Sequence, residues 1–410
     1  MENATCKFCG TKLHHIVADL GAQPLSNEYL NEDELNSGQY YYPLQVMVCE
    51  KCKLVQALEY QKPENIFKDY KYFSSFSSAW LKHCEEYVDM IVPRLNLNKE
   101  SNVCEIACND GYLLQFFKKY DIPVYGIEPA ANVANYAKEK NIEVEVAFFD
   151  ENFAVDVSKR RGLADLIIGN NVFAHVPNIN SFVKGLNKLL KKTGTITLEF
   201  PHLLNLMKEN QFDTIYHEHF FYFSLNVVKN IFLNHGLKVY DVQQLPTHGG
   251  SLRIYATHED NMAFKESENV KKLLNTEREF KLDILSTYDD FSEKVKFIKR
   301  ETHRLLGSLK SEGKKIAAFG AAAKGNTFLN YCGVGSDYID FVADSSDQKQ
   351  GRYLPGTRIP IVSPYIINKE KPDYIIILPW NIKEEITELL SFTREWGCQF
   401  VTFIPETQIF

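Results

Sequence analysis

Several shortages narrow what this chain can be. It has no apolar run approaching the roughly 20 residues that a membrane helix needs, so no membrane span is expected. It has no excess of positive charge: 46 Lys and Arg face 53 Asp and Glu, for a net charge of −7. That balance argues against a nucleic-acid partner. Cysteine comes to only nine, an odd number that fits a reducing cytoplasm better than a disulfide framework. The opening Met1-Glu2-Asn3-Ala4-Thr5 has neither a basic nor an apolar stretch, so no secretory signal is expected and the cytoplasm is the expected location. Short-period repeats and low-complexity segments are missing too. What is left is an ordinary soluble composition, 45% hydrophobic and 24% charged. At 410 residues it is long enough for two or three domains.

Four of the cysteines fall into two pairs, Cys6-Lys-Phe-Cys9 and Cys49-Glu-Lys-Cys52. Each C-x-x-C turn presents two sulfurs to one ion, and two such knuckles close a tetrahedral zinc shell. No open position remains for water, so this zinc is expected to hold a fold and not to catalyse. A redox C-x-x-C would need a neighbouring βαβ unit and would not come with a second pair. Cys84, Cys104, Cys108, Cys332 and Cys398 are left over.

The chain reads as α/β in three parts. Residues 1–70 form the zinc module, rich in strand-like pieces such as Tyr41–Val48. From 71 to 260 strands and helices alternate, which predicts a doubly wound parallel sheet. Its strands are expected at 102–106, 123–128, 165–170 and 195–200, with a helix over Tyr112–Lys119 and a closing antiparallel pair at 236–240 and 252–256. Residues 261–410 begin with a charged helical stretch, 265–312. A second, smaller βα unit then starts at Lys315–Gly320, with strands at 338–344, 374–378 and 400–404.

The turn Glu105-Ile106-Ala107-Cys108-Asn109-Asp110-Gly111 follows a strand and precedes a helix, where small residues let a ligand approach the backbone. About twenty residues on, Glu128 ends the next strand, where a carboxylate can accept from both hydroxyls of a ribose. Dinucleotide dehydrogenases and S-adenosylmethionine methyltransferases share both signals. Here G-x-G-x-x-G is missing, and the segment resembles the methyltransferase pattern E-x-G-x-G-x-G, with Ala107 and Asn109 replacing two glycines. An acidic pocket also suits a sulfonium and an ammonium better than a pyrophosphate. Phe149, after Phe148, stands where that fold stacks adenine. Asn170 and His175 lie at the end of the fourth strand, where the methionyl part would sit. A Phe pair alone is more often core, and a lone His more often structural; in register along one sheet they reinforce each other.

Tyr216-His217-Glu218-His219 supplies imidazole, carboxylate and phenol, the groups of acid–base chemistry near neutral pH. With the four cysteines, Glu105–Gly111, Asn170-Asn171-x-x-x-His175, His248-Gly249-Gly250-Ser251 and Gly320-Ala-Ala-Ala-Lys324-Gly-Asn326, it resembles the nucleotide-sugar C-methyltransferases of deoxysugar biosynthesis. The resemblance covers essentially the whole chain. It implies a Rossmann-like class I methyltransferase core, an N-terminal zinc module and a second, C-terminal Rossmann-like unit. It further implies transfer of a methyl group to C3 of a 4-keto-6-deoxy sugar carried on a nucleotide diphosphate. His219 corresponds to the base, with Glu218, Tyr216 and Tyr72 lining the reacting centre. His248, Ser251, Lys324 and Asn326 fall to the substrate, Lys324 as a candidate for its diphosphate. A monomer is expected; the particular sugar and nucleotide stay open.

The chemistry is coherent from below, because carbon is alkylated readily only as a carbanion and a 4-keto group acidifies the C3 proton. Two competing readings remain at this level. One is a zinc-containing protein that binds a nucleotide ligand without turnover; the other is an O- or N-methyltransferase acting on a small metabolite.

Overall fold

Three β-sheets organise the residues described by the computed structural model, 4–58 and 74–410. The first joins β1 (His15–Gln23), β2 (Tyr42–Val48) and β3 (Val55–Ala57) in antiparallel order. Its fourth strand, β9 (Phe221–Tyr222), comes from far along the chain, pairing Val55 with Tyr222 and Gln56 with Phe221. The amino-terminal module is therefore completed by the segment that follows Tyr216-His217-Glu218-His219.

The second sheet is the doubly wound one. Its strands β4 (Val103–Ile106), β5 (Val124–Ile127), β6 (Glu143–Glu145), β7 (Ala164–Asn170) and β8 (Leu190–Pro201) are parallel. The pair β10 (Leu237–Leu245) and β11 (Ser251–His258) closes it, β11 running antiparallel to both neighbours. The order is β10-β11-β8-β7-β4-β5-β6. The strand sequence reverses between β4 and β7, which opens a crevice at their carboxyl ends. Central strands buried on both faces need unbroken apolar runs, and β7, with Leu166, Ile167 and Ile168 fully buried, is one. Helices enter on side-chain caps: Ser77 accepts from the Trp80 N–H, Asp150 from Phe153 and Ser224 from Val227.

The third sheet holds β12 (Ile316–Phe319), β13 (Val342–Ala343), β14 (Ile361–Val362), β15 (Tyr374–Ile377), β16 (Gln399–Thr402) and β17 (Gln408–Ile409). It too reverses, in the order β14-β13-β12-β15-β16-β17. The charged stretch before it is two helices, Glu268–Glu279 and Leu285–Ser311, separated by a turn in which Lys281 is left-handed. The longer helix lays Phe291, Val295 and Ile298 into one cluster with Val17, Ala18 and Leu20 of β1. The opposite end of the module, Leu13, Met47 and Leu54, packs into the core around Phe173 and Phe200.

Three details differ from the sequence reading. The helix expected over Tyr112–Lys119 is a 3-10 helix, Leu114–Tyr120. Leu114 and Phe117, three residues apart, are both fully buried, and a three-residue turn stacks such a pair on one side. The strand expected over 338–344 shrinks to Val342–Ala343. The edge strand β6 was not foreseen, because its Glu-Val-Glu sequence is short and charged.

The four cysteine sulfurs lie within 4.8 Å of one another. Cys6 Sγ is 3.5 Å from Cys52 Sγ, and Cys9 Sγ is 3.5 Å from Cys49 Sγ. Four thiolates bound tetrahedrally at about 2.3 Å from one zinc would stand about 3.8 Å apart, so the donor set fits that ion. The knuckles match in backbone: the Gly10 N–H donates to Cys6 O and the Lys53 N–H to Cys49 O, both residues being left-handed. Substituting Cys49→Ser should release the zinc and lower the melting temperature, since metal binding here is folding energy. Full zinc stoichiometry by elemental analysis of a Cys6→Ser/Cys49→Ser protein would overturn the assignment.

Candidate active site

In the turn after β4 the three positions that would be glycine in E-x-G-x-G-x-G are Ala107, Asn109 and Gly111. All three are left-handed, with φ of 56°, 49° and 74°. The loop keeps the glycine conformation without two of its glycines. Gly111 is also crowded, since a Cβ there would come 2.5 Å from Ile142 Cδ1 and 3.2 Å from Ala137 Cβ. Cys108 instead packs down over Gly126, where a Cβ would stand 2.2 Å from its sulfur.

Glu128 closes this loop from β5. Its Oε2 accepts from the Asn109 N–H at 3.0 Å and its Oε1 from the Ala130 N–H at 2.9 Å. Burial pushes its pKa up to about 7, against the pull of these two amides. Each oxygen keeps a lone pair with which it could accept from a ribose hydroxyl. Glu105, at the end of β4, is fully buried, and neither of its oxygens makes a normal hydrogen bond, although the Tyr112 phenol lies toward it. Burial raises its pKa far above the ordinary value. Asn170 Nδ2 and Asn171 Oδ1 are likewise buried without partners. Unpartnered buried polar atoms are costly, and their gathering along one crevice fits a polar, cationic ligand such as S-adenosylmethionine. Phe149 packs edge-on against Phe182, at 5.4 Å between ring centres, while Phe148 stands 46% exposed beside it.

Imidazole and phenol rings converge on His219. Its Nδ1 lies 2.9 Å from the Thr214 carbonyl oxygen, which can only accept, so Nδ1 carries the hydrogen and Nε2 keeps its lone pair. The ring lies 4.0 Å from that of Tyr216 and 4.8 Å, edge-on, from that of His175. Burial, then the neighbouring His175, and further off His248 and the Lys324 ammonium hold its pKa well below the ordinary histidine value. His175 is pushed down to about 4 by burial, and His248 likewise, with Lys324 adding to the shift. The imidazoles are therefore neutral at pH 7.

The other expected residues separate into two groups. Lys324 and His248 reach this chamber. His248, left-handed with φ 56°, places Nε2 3.2 Å from Asn171 Nδ2 and its ring 5.6 Å from Trp80. Glu218 is turned away, accepting from Asn27 Nδ2 of the amino-terminal module at 2.7 Å. His217 points to the backbone carbonyls of Tyr42 and Pro43. Two residues expected at the substrate make hydrogen bonds within the protein. Ser251 is fully buried and donates its hydroxyl to Thr247 O, which tightens the turn into β11. Asn326 is 1% exposed; its Nδ2 donates to Ser26 O, tying its helix to the amino-terminal module, while its Oδ1 has no hydrogen-bond partner. Tyr72 lies outside the described residues.

Several residues were not singled out in the sequence. Glu199, at the end of β8, is fully buried; burial would raise its pKa, but His83, Arg253 and Thr247 together outweigh it and hold the carboxylate ionised. Arg253 Nη2 lies 2.9 Å and His83 Nε2 3.0 Å from its Oε2. His83 stacks on Trp80, so this buried network props the wall that carries His248. Asp213 and Trp380, joined by a 2.7 Å hydrogen bond, connect the core to the carboxyl-terminal unit. Their partners lie far off in the chain, so no local spacing announces them.

Residues 6–67 match a zinc binding domain, 80–242 a methyltransferase domain and 246–405 the C-methyltransferase C-terminal domain. Over 98% of its length the chain is 34% identical to the C-methyltransferase NovU of Streptomyces niveus, covering 96% of that protein. This chain is a C-methyltransferase. Its cofactor is S-adenosylmethionine and its amino-terminal module is the zinc-binding domain of the family. Among solved structures it is similar to a methyltransferase of Anabaena variabilis, at 19% identity over 42% of this chain and 84% of that one, with a TM-score of 0.36. It is also similar to magnesium protoporphyrin IX methyltransferase of Synechocystis, at 15% identity over 48% and 88% of the two chains, with a TM-score of 0.34.

Two outcomes follow for this C-methyltransferase. Ala107→Gly should stabilise the protein by about 0.5–1 kcal/mol in urea denaturation, because left-handed strain relieved exceeds the entropy glycine adds to the unfolded chain. If Glu128 holds the ribose, its ionised form is the one that binds. Affinity for S-adenosylmethionine should then fall as pH drops through about 7, by about tenfold at pH 6 relative to pH 8. Calorimetry of the wild type against Glu128→Gln checks this, the variant losing the pH dependence.

Proposed function

We propose that this C-methyltransferase methylates C3 of a 4-keto-6-deoxy sugar carried on a nucleotide diphosphate, through an enolate formed by His219. The observation that carries the reading is the Nδ1 hydrogen bond of His219 to Thr214 O, which aims an unprotonated Nε2 into the chamber shared with His175 and Tyr216. A neutral imidazole held in one tautomer is ready to accept a proton from carbon. Methylation of carbon, as in the family, requires such a carbanion, and a neighbouring carbonyl gives one at least cost.

The bound cofactor supplies an electrophilic methyl group on a sulfonium. The residues of this chain do the rest. Glu128 and the turn Glu105–Gly111 hold the adenosyl and aminoacyl parts at the carboxyl ends of β4 and β5. His219 takes the C3 proton on Nε2 while Thr214 O fixes the ring against rotation. Tyr216, against the His219 ring, and His175, edge-on to it, narrow the space so that the carbanion faces the methyl group. Alignment of this kind replaces acid–base help in the alkylation step itself. Glu218 serves from behind, tying the His219 turn to Asn27.

Substituting His219→Asn separates proton removal from methyl transfer. With S-adenosylhomocysteine in place of the donor, the wild type should exchange the C3 proton of a nucleotide 4-keto-6-deoxy sugar with deuterium, followed by NMR. The variant should bind both ligands and exchange at least about 100-fold more slowly. Exchange at the wild-type rate would make His219 a positioning group only.

A further inference from the structure

We propose that Lys324 is a catalytic residue of this reaction, its ammonium facing the carbonyl oxygen of the substrate and holding the negative charge that gathers there. This rests on the enolate reading above. It departs from the sequence-based expectation that Lys324 grips the diphosphate.

Lys324 belongs to the carboxyl-terminal unit, one residue inside the helix Ala323–Cys332, yet it is turned toward the core. Its Nζ donates to Asn381 Oδ1 at 2.7 Å and lies 4.8 Å over the Trp380 ring. Trp380 Nε1 donates in turn to Asp213 Oδ2 at 2.7 Å. The next residue, Thr214, is the one whose carbonyl fixes His219. The far edge of the Trp380 ring lies against Gly249, where a Cβ would come within 2.6 Å, beside His248. One wall of Trp380, Asp213 and Gly249 therefore carries the ammonium into the chamber of His219 and His248. Both imidazoles feel its charge.

Charge matching decides what the ammonium meets. A diphosphate brings at least two negative charges and is normally held by several donors. Lys324 offers one positive charge; burial lowers its pKa, the Asp213 carboxyl in the wall opposes that, and one of its hydrogens is already spent on Asn381. That suits a single oxygen acquiring a single charge. A cation beside a base also weakens the base, unless an anion forms between them. In the proposed step the C3–H bond breaks, the proton passes to His219 Nε2, and its electron pair forms the C3–C4 double bond. The C4–O π pair moves onto oxygen, in front of Lys324. The anion is then flanked by imidazolium and ammonium, so the placement that would hinder His219 alone assists the pair. When C3 bonds to the methyl carbon, the oxygen pair returns to the carbonyl and the sulfur departs as a neutral thioether.

The full-length zinc protein with Lys324→Met, bound to S-adenosylhomocysteine, provides the test. At saturating nucleotide 4-keto-6-deoxy sugar its C3 deuterium exchange should fall by about 100- to 1,000-fold, as when an oxyanion donor is removed. Thymidine diphosphate and guanosine diphosphate, titrated by calorimetry, should bind it within about twofold of the wild type. Lys324→Arg should recover part of the exchange. A variant that exchanges at the wild-type rate once saturated, but binds the nucleoside diphosphates tenfold more weakly, makes Lys324 a phosphate anchor and overturns the proposal. Should Lys324→Met fail to bind S-adenosylhomocysteine, Lys324→Gln is read by the same two measurements. Absence of exchange in the wild type with every such sugar would instead sink the enolate reading itself.

Discussion

One residue's backbone carries the arrangement of this enzyme. The Phe220 N–H donates to Ala174 O, in the loop that ends the cofactor strand β7, and Phe220 O accepts from the Ala57 N–H of the zinc-bearing module. His219 immediately precedes it. The turn that carries His219 is thereby strung between the crevice and the zinc module, and the pairing of β3 with β9 extends the hold by two residues. This gives the distant zinc a reason. The ion would close the ends of a small sheet whose last strand follows His219, so losing it would loosen the candidate site from behind.

Burial does most of the electrostatic tuning. Withdrawing water raises Glu128 and Glu105 and lowers His175, His219 and His248, in each case as the largest cause. Glu199 is a buried acid held low instead, and it has both His83 and Arg253 beside it. A dry chamber strengthens every charge that appears during the reaction, which is why a single ammonium can matter there.

The two α/β units repeat a device. Glu128, after β5, accepts from the Asn109 N–H of the first loop; Asp344, after β13, accepts from the Ala321 N–H of the second at 2.7 Å. In the carboxyl-terminal unit, however, the loop is covered from within: the Tyr29 hydroxyl and Lys349 Nζ both donate to Ala321 O. The second crevice is thus bound to the amino-terminal module, and its lysine turns to the shared chamber.

The sequence by itself determined what depends on local spacing. Two C-x-x-C knuckles specified the metal, alternating apolar runs specified the wound sheets, and Glu105–Gly111 with Glu128 marked the crevice, because each is a periodicity or a turn legible within thirty residues. It also marked Tyr216–His219 as chemical. Residue types alone could not tell His217 from His219, or Glu218 from either, since adjacent residues of one turn point to different neighbours; only the family resemblance favoured His219. The directions of these three side chains are set by Thr214 O, Asn27 and the carbonyls of Tyr42 and Pro43, which only folding brings near. The same holds for the Ser251 hydroxyl and Asn326 Nδ2, which donate to Thr247 O and Ser26 O. Asp213, Trp380, His83 and Glu199 carry no motif at all, because a hydrogen bond between residues more than a hundred positions apart leaves no local pattern. Tertiary structure decided direction: which side chains of a recognisable motif face the reaction, and which hold the frame.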